Sequence, residues 1–482
     1  MLNARQMSSQ PAPSHLSNGD TDIKSLDVRV HNSPVLSDDR NSVAVLFRCA
    51  NGHFIQATVE SKNGLDNGVF DTVSFLTPES LVRVTARPVA HDTDFDITPI
   101  ELCDIHNLST AKTPGAYSNV LHGASGEVLA SIQSRTKLIE ERLDNRLLDA
   151  RVPATAAIFK LFSGVHELAV EYLKLHDFYH VPTPAFVGYE FPGEEDDLFT
   201  VPYFGRTARL APTGEIHLGM ALSADLERVY DFHTVFRREP VSDGRHLTEF
   251  TMLELVFNLQ HSWIEILDFA DSLLVSLLHS LQSQDKYTTL TNTAKRLYPL
   301  SGTFKLGLGK SGKLPRIRFN EAKTLLRDFI GIESDDDKDF TRSEEAALGR
   351  FLASEESHVS LPTDVFFITH FPKHLRSCNI YPSDEQDDTT QSFDVILRGQ
   401  ECVTGCRLLH SAEDLAAAFA NRPHPIDPET PEWRPYMTAH EIGMPPWGGF
   451  GLGINRLVQG FLGLEDIRET VLFPRDAARL SP

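Results

Sequence analysis

Three short segments of the chain carry side chains suited to gripping a nucleoside triphosphate. The first, Phe236 to Glu254, reads FRREPVSDGRHLTEFTMLE. A strand delivering Arg237 and Glu239, a turn through Pro240 to Gly244 and a return strand opening on Arg245 and His246 would gather charged groups on one hairpin. Strand alternation puts Arg237 and Glu239 on one face, and His246, Phe250 and Glu254 together on a face of the return strand. A guanidinium offers phosphate oxygens a planar fork of donors. Glu239 can accept from the amino group of a base, and Phe250 can stack on its ring. The second segment, Gly448 to Arg456, reads GGFGLGINR; glycines at 448, 449, 451 and 453 leave backbone on which a flat ligand can lie, and Arg456 follows for a terminal phosphate. In the third, Phe393 to Glu401 (FDVILRGQE), Asp394 and Glu401 offer oxygens to a hard cation such as Mg²⁺ bridging phosphates. Taken singly, these also read as a polar edge hairpin, a plain strand-to-helix turn and two carboxylates seven apart. Together they describe an ATP site without a P-loop, and the sequence holds neither a phosphate-loop motif nor a dinucleotide-binding glycine signature.

Such groups need a scaffold of strands. Val229 to Arg237, His246 to Phe257, Val365 to Thr369 and Phe393 to Leu397 have strand character. After Pro153, Ile158, Phe162, Val165, Ala169 and Tyr172 recur at helical spacing, and Ile264 to His279 predicts a second helix. The expectation is a large α+β domain on an antiparallel sheet. Nearer the N-terminus, Asp27 to Leu102 shows short strands (around Val43 to Phe47, Phe54 to Val59 and Leu81 to Val89) with turn formers at Asn63-Gly64 and Asn67-Gly68. A small all-β barrel and an unremarkable β module fit this stretch equally. Thr113-Pro114-Gly115 and Gly123 to Gly126 mark a linker. The expected boundaries are a disordered tail over 1–25, the β domain over 26–110, a linker over 111–150 and the catalytic domain over 151–482.

The chain's 482 residues suggest two domains. With 41% apolar and 23% charged residues it reads as a soluble globular protein, and no apolar run approaches the roughly 20 residues of a membrane span. Its net charge of −22 argues against a coating of nucleic acid while allowing a local basic groove. Lys305 to Arg318, KLGLGKSGKLPRIR, is one candidate anion or nucleic-acid contact, or a simple basic loop. The acidic runs Glu194 to Asp197 and Asp335 to Asp337 read as solvated loops. Five cysteines are too few for a disulfide framework, and Cys402 and Cys406 lack a second pair to complete a metal site, so they read as unpaired cytosolic thiols.

FRRE followed by RHLTEF, with GFGLGINR near the C-terminus, resembles motifs 2 and 3 of the class II aminoacyl-tRNA synthetases, most nearly the aspartyl branch with the asparaginyl enzymes next. RLDNRLLDAR (Arg142 to Arg151), FYHVPTP (Phe178 to Pro184, like motif 1), TDVFFITHFP (Thr363 to Pro372) and IRETVLFPRD (Ile467 to Asp476) agree, and VRVHNSP (Val28 to Pro34) resembles the first strand of that family's anticodon-binding OB barrel. The resemblance covers about residues 26–482. It implies an α+β fold: a class II antiparallel-sheet catalytic domain flanked by helices, with an N-terminal OB-fold β-barrel. The implied activity joins an amino acid to ATP as an aminoacyl-adenylate and passes the aminoacyl group to tRNA. The resemblance assigns Arg237 to the α-phosphate, Arg456 to the γ-phosphate, Glu239 and Phe250 to adenine, and His246 to the distal phosphates. Arg245, Gly451 and Gly453 complete the ATP set, Asp394 and Glu401 hold Mg²⁺, and Pro184 sits at a homodimer interface. A cytoplasmic homodimer with no membrane association is expected.

The departures fall in the amino-acid pocket. The family's SPQ and downstream lysine become APTGEIHL, with Glu215 for the glutamine and Leu218 for the lysine. SGAQR becomes Thr404-Gly405-Cys406-Arg407-Leu408, with Leu408 in place of the substrate-binding arginine; Arg407 is adjacent, but one step along a strand reverses direction. Glu254 keeps an acid, whereas Val256 replaces the next one, Trp447 a histidine and Asn455 a glutamate; the substrate loop reads Phe191 to Asp197. An aspartate carboxylate buried without its cations costs several kcal/mol. The sequence therefore predicts a ligase activating an amino acid other than aspartate, for tRNA or another acceptor. The alternatives are an ordinary aspartate–tRNA ligase and a non-catalytic regulatory or RNA-binding paralogue. In the β domain Gln56 resembles the family's anticodon-reading glutamine, while Ala44 stands where a stacking phenylalanine is expected.

Overall fold

The structure, a computed structural model, describes residues 23–50, 53–61, 68–89, 97–112, 139–191, 198–309, 311–357, 361–383 and 387–481. The chain divides into two compact units, residues 1–128 and 129–482. Most of the expected tail, the Asn63-Gly64 turn, the Thr113 to Gly126 breakers and the loop from Pro192 to Asp197 lie outside the described residues. The last part of the expected linker is helical, over Ile139–Asp144 and Arg146–Asp149.

In the first unit, β1 (Lys24–Val30), β2 (Val35–Leu36), β3 (Ser42–Cys49), β4 (Phe54–Glu60), β5 (Leu81–Pro88) and β6 (Ile97–Ser109) enclose a core that includes Val30, Val43, Phe47, Ala57, Val82 and Val84. The expected OB-fold barrel is corrected here. The strands form a six-stranded sheet in the order β1-β5-β6-β4-β3-β2 that is not closed into a barrel. β1 also runs beside β3, for three residue pairs, and the two exposed residues of β2 form an edge. Apolar alternation fixes which face of a strand is buried, whereas closure depends on the stagger between strands, which that pattern does not encode. A helix over Gly68–Ser74, burying Val73, interrupts the expected run of strands. Gln56 is exposed on the outer face of β4, and Ala44 lies on the same outer face of the neighbouring β3.

The second unit adds β7 (Tyr179–His180), β8 (Phe186–Val187), β9 (Thr200–Tyr203), β10 (Arg206–Leu210), β11 (Arg228–Phe236), β12 (Glu249–Asn258), β13 (Arg316–Arg318), β14 (Val365–Thr369), β15 (Ser392–Leu397), β16 (Gln400–Leu408) and β17 (Trp447–Gly453). Eight of them form one sheet in the order β13-β14-β15-β16-β17-β12-β11-β7, antiparallel except at its two outer pairs. β8, β10 and β9 form a separate small sheet. Alternation sorts the two faces of the large sheet. Leu253, Leu255 and Phe257 of β12 and Phe450 and Leu452 of β17 bury into a core shared with helices Pro153–Leu175, Ile264–Ser283 and Ile454–Leu462. The opposite face carries the charged and small residues of interest.

Two motifs noted above are joined in a buried ionic cluster. Arg142 reaches Asp149 at 3.1 Å and Glu469 at 2.6 Å, and Arg146 reaches Asp149 at 2.6 Å and the carbonyl of Val471 at 2.7 Å. Tyr298 donates to Glu469 at 2.8 Å. Every charge in this cluster has a partner of opposite sign, the condition under which buried ions are tolerated. It pins the C-terminal segment to the start of the unit.

Candidate active site

A cavity of about 560 Å³ opens on the face of the large sheet away from the long helices. Its floor is laid in rows set by strand register. Glu254, Gly451, Thr404 and Asp394 stand side by side across β12, β17, β16 and β15. One pleat further along come Val256, Gly449, Cys406 and Ser392, then Trp447 and Leu408. Carboxylates thus belong to the first of these rows, and the next two have none. A side chain on Gly449 would overlap the Leu255 carbonyl, and one on Gly451 would come within 3.0 Å of the Met252 sulfur. The bare backbone at Gly449 is a packing requirement of the sheet as well as part of the floor of the cavity, whereas at Gly451 the neighbour is a flexible methionine.

Arg237, Glu239, Arg245, His246, Phe250, Glu401, Gly451, Gly453 and Arg456 all line this cavity. The local geometry differs from the predicted hairpin. β11 ends at Phe236 and β12 begins at Glu249, so Arg237, Glu239 and His246 are carried by the connecting segment and not by alternating strand positions. Arg237 stays close to the ladder because its amide donates to the Thr248 carbonyl at 3.0 Å, and its guanidinium lies 5.8 Å from the Phe250 ring centre. His246 contacts Asp243 at 3.0 Å, and Arg245 pairs with Glu345 at 3.0 Å. Glu345, from helix Arg342–Leu352, is one that sequence reasoning missed. Burial and the charge of Glu401, outweighing the pull of Arg245, push its carboxyl up to about 7.

A bulge re-aims Glu401. In a regular strand Glu401 and Thr404, three apart, would face opposite ways. The β15–β16 register shifts at Val395/Ile396, leaving Cys402 as the extra residue, and the Thr404 hydroxyl donates to Glu401 at 2.9 Å. Arg456 donates to the Glu401 carbonyl at 3.1 Å and stands 3.7 Å from its carboxylate. Asp394 is buried beside the cavity, its Oδ2 held by Arg376 at 2.6 Å. Among the described residues its Oδ1 is buried with no hydrogen-bond partner. Burial and Glu401 raise the Asp394 carboxyl while Arg376 lowers it, with a net upward shift. An orphaned buried carboxylate oxygen beside Glu401 and a hydroxyl is a donor set of the kind a hard cation takes.

The other end is built differently. Leu408 lines it, and Leu218 lies behind in an apolar cluster with Val256, Cys406, Tyr436 and Trp447. Of the predicted pocket residues, Leu218 and Arg407 do not reach the cavity. Leu218 is sealed in the cluster, completely buried. Arg407 points the opposite way from Cys406 and Leu408, over the Tyr381 ring at 3.8 Å and to Gln391 at 3.3 Å, as strand alternation requires. Glu254 does line the cavity, but both its oxygens are engaged: Thr213 Oγ1 donates to Oε1 at 2.6 Å, and the Gly214 amide and His233 at 2.8 Å meet Oε2. Burial lowers His233, but the hydrogen bond and charge of Glu254 outweigh it, so its net shift is upward. Glu215 opens helix Glu215–Leu222 and accepts from Asn379 at 3.3 Å. Asn455 accepts from the Thr251 amide at 2.9 Å and donates to Thr470 at 3.0 Å, tying the helix start to β12.

Several candidates outside the cavity have partners within the chain. In the basic stretch, Lys305 donates to the Ala353 carbonyl at 2.7 Å, Lys313 and Arg316 pair with Asp268, each at 2.7 Å, and Arg318 pairs with Asp387 at 2.8 Å. Those contacts lie within the chain itself. The five cysteines form no disulfide, and burial pushes the Cys402 and Cys406 thiols up, away from reactivity. Among the described residues no helix is long and apolar enough to cross a membrane.

Comparison with known proteins agrees with this architecture. Residues 138–477 match the family described as tRNA synthetases class II (D, K and N). The cytoplasmic aspartate–tRNA ligase of Mus musculus is 31% identical over 410 residues, covering 85% of this chain and 78% of that one. The aspartate–tRNA(Asp) ligase of Pyrococcus horikoshii is 30% identical over 432 residues, covering 89% and 90%. Among solved structures, the aspartyl-tRNA synthetase of Entamoeba histolytica superposes with a TM-score of 0.77 at 24% identity, covering 96% of this chain and 90% of that one. The asparaginyl-tRNA synthetase of Pyrococcus horikoshii, solved with asparaginyl-adenylate, gives 0.73 at 24% identity, covering 96% and 97%. The chain therefore belongs to the class II aminoacyl-tRNA synthetases of the aspartyl/asparaginyl branch, ATP-dependent ligases that form aminoacyl-adenylates.

Proposed function

We propose that this chain activates an amino acid other than aspartate and transfers it to tRNA or to another acceptor. In this reading Arg237 meets the α-phosphate, Glu239 and Phe250 receive adenine, and Arg245, His246 and Arg456 meet the distal phosphates. Gly451 and Gly453 leave the backbone open beneath the nucleotide. The amino-acid carboxylate attacks the α-phosphorus in line, a new C–O–P bond forms, and the bond to pyrophosphate breaks. No side-chain nucleophile is needed; placement and charge neutralisation supply the rate. Asp394, Glu401 and Thr404 would hold Mg²⁺, which would neutralise phosphate charge. The protein would act as a cytoplasmic homodimer, with Pro184 near the interface. Gln56, on the exposed face of the first unit, would contact RNA if tRNA is the acceptor.

The observation that carries the altered specificity is the placement of Leu218, Leu408, Val256 and Trp447 in one apolar cluster, with Leu408 at the cavity wall. Four separate departures from the family pattern meet in space: two replace a cation, one an acid and one an imidazole. The relatives' names favour a second reading, aspartate itself as the substrate. ATP–pyrophosphate exchange with each amino acid in turn, followed by charging of purified tRNA, separates the two. Exchange with an amino acid other than aspartate is expected; exchange with aspartate alone would establish the second reading. The absence of exchange with any of them would favour a non-catalytic paralogue.

A further inference from the structure

We propose that Glu345 is a positioning residue of the triphosphate site: from helix Arg342–Leu352 it holds the Arg245 guanidinium where that group meets the distal phosphates. This rests on the assignment of Arg245 above and adds to it a residue that stands outside the cavity.

Arg245 lines the cavity and Glu345 does not, so Glu345 can act only through a neighbour. That neighbour is 3.0 Å away, Glu345 Oε2 to Arg245 Nη2, with both side chains 13% exposed. Arg245 sits on the segment between β11 and β12, where no strand ladder fixes the direction of a side chain. Its amide donates to Asp243 at 2.9 Å, but among the described residues its Nε is buried with no hydrogen-bond partner. Glu345 thus orients the guanidinium fork while a donor is left over, an arrangement suited to receiving an anion.

Glu345 can orient a partner only if its own helix is fixed, and two features fix it. At the N-terminus Thr341 Oγ1 accepts from the Glu344 amide at 3.3 Å and the Thr341 amide donates to Glu344 at 2.7 Å, a closed capping box. Along its side the helix meets the Arg398-Gly399 turn before β16, backbone against backbone. A Cβ on Gly349 would lie 2.6 Å from the Gly399 nitrogen, and one on Gly399, at φ +74°, 2.6 Å from the Ala346 Cα. That turn leads directly to Glu401, so one helix braces both charged edges of the site. Arg342 and Glu345, one turn apart, face Asp243 and Arg245 with opposite signs, Arg342 at 3.8 Å. The Glu345 carboxyl also feels the charges of Glu401 and Arg456. Without Glu345 the Arg245 fork is free to turn, and binding of the triphosphate must order it anew.

The test is calorimetric titration of the full chain with Mg²⁺-ATP and with AMP, which lacks the distal phosphates. It compares wild type, Glu345→Ala, Glu345→Gln, Arg245→Ala and the double variant Arg245→Ala/Glu345→Ala. Glu345→Ala is expected to weaken ATP roughly tenfold and leave AMP unchanged, while Glu345→Gln, which keeps an acceptor at the same reach, loses less. In the Arg245→Ala background the same alanine is expected to change nothing further. Equal losses of ATP and AMP, unchanged or tighter ATP binding, or a full loss in the Arg245→Ala background would overturn the inference. Should Glu345→Ala fail to fold, Glu345→Asp, shorter by one methylene, takes its place with the same outcomes. Wild type that binds no ATP, or Arg245→Ala that binds it normally, would end the phosphate role of Arg245 itself, and this inference with it.

Discussion

Along β16 the cavity-facing side chains run from Glu401 and Thr404 to Cys406 and Leu408, a passage from carboxylate to hydroxyl to thiol to alkyl within one strand. The charged end is crowded with paired ions: Arg376 with Asp394, Arg456 with Glu401, Arg245 with Glu345. The apolar end is a packed cluster that reaches Trp447 and Tyr436. Both ends share the same sheet, so the difference lies in the side chains and in the bulge that re-aims Glu401. A scaffold of this kind can keep the machinery for a nucleotide while the neighbouring pocket changes its chemistry.

That contrast predicts unequal responses to mutation. The largest effect is expected at the charged end: Arg237→Ala should lower ATP–pyrophosphate exchange by ~10²–10³-fold with circular dichroism unchanged. Unchanged exchange would remove Arg237 from the phosphate site. At the apolar end, Leu408→Arg should reduce unfolding free energy by ~3–5 kcal/mol in urea denaturation, because the sealed cluster of Leu218, Val256 and Trp447 must open to admit a guanidinium. Wild-type stability in that variant would reveal a counter-charge among the neighbours and break the comparison. Glu254→Gln weakens the acceptor of Thr213, Gly214 and His233, and should cost ~1–3 kcal/mol in the same assay.

A further effect is that of pH through Glu345. Its folded-state carboxyl titrates near 7, above the usual glutamate value, so the folded protein binds the extra proton more tightly than the unfolded chain. Its contribution favours folding below that range and is lost as pH rises from about 5 through 7. Glu345→Gln should therefore flatten the fall in stability between pH 5 and 8 relative to wild type, as followed by thermal melts across buffers. A parallel profile in the variant would show that Glu345 is not the titrating group.

How much of this was legible in the sequence depended on whether a feature is local or relational. The long helix after Pro153 and the strand Val365–Thr369 follow from apolar spacing, which burial enforces directly. The gathering of Arg237, Phe250, Glu401 and Arg456 followed from motif resemblance, since no periodicity links residues more than 200 positions apart. What escaped was relational. His246 lies outside β12 because the ladder stops at Glu249, a boundary that alternation does not mark. Glu401 and Thr404 share a face only through a bulge, which a count of residues misses. Arg376 and Glu345 come from segments whose patterns read as ordinary structure. In the first unit, residue alternation identified the strands but not whether their sheet would close.

The central claim, that the amino-acid end no longer offers a cation to an acidic side chain, is tested most directly by titrating aspartate into wild-type protein at saturating Mg²⁺ and ATP and following pyrophosphate exchange. The account predicts a rate indistinguishable from the blank without amino acid. A saturable aspartate-dependent rate would contradict it.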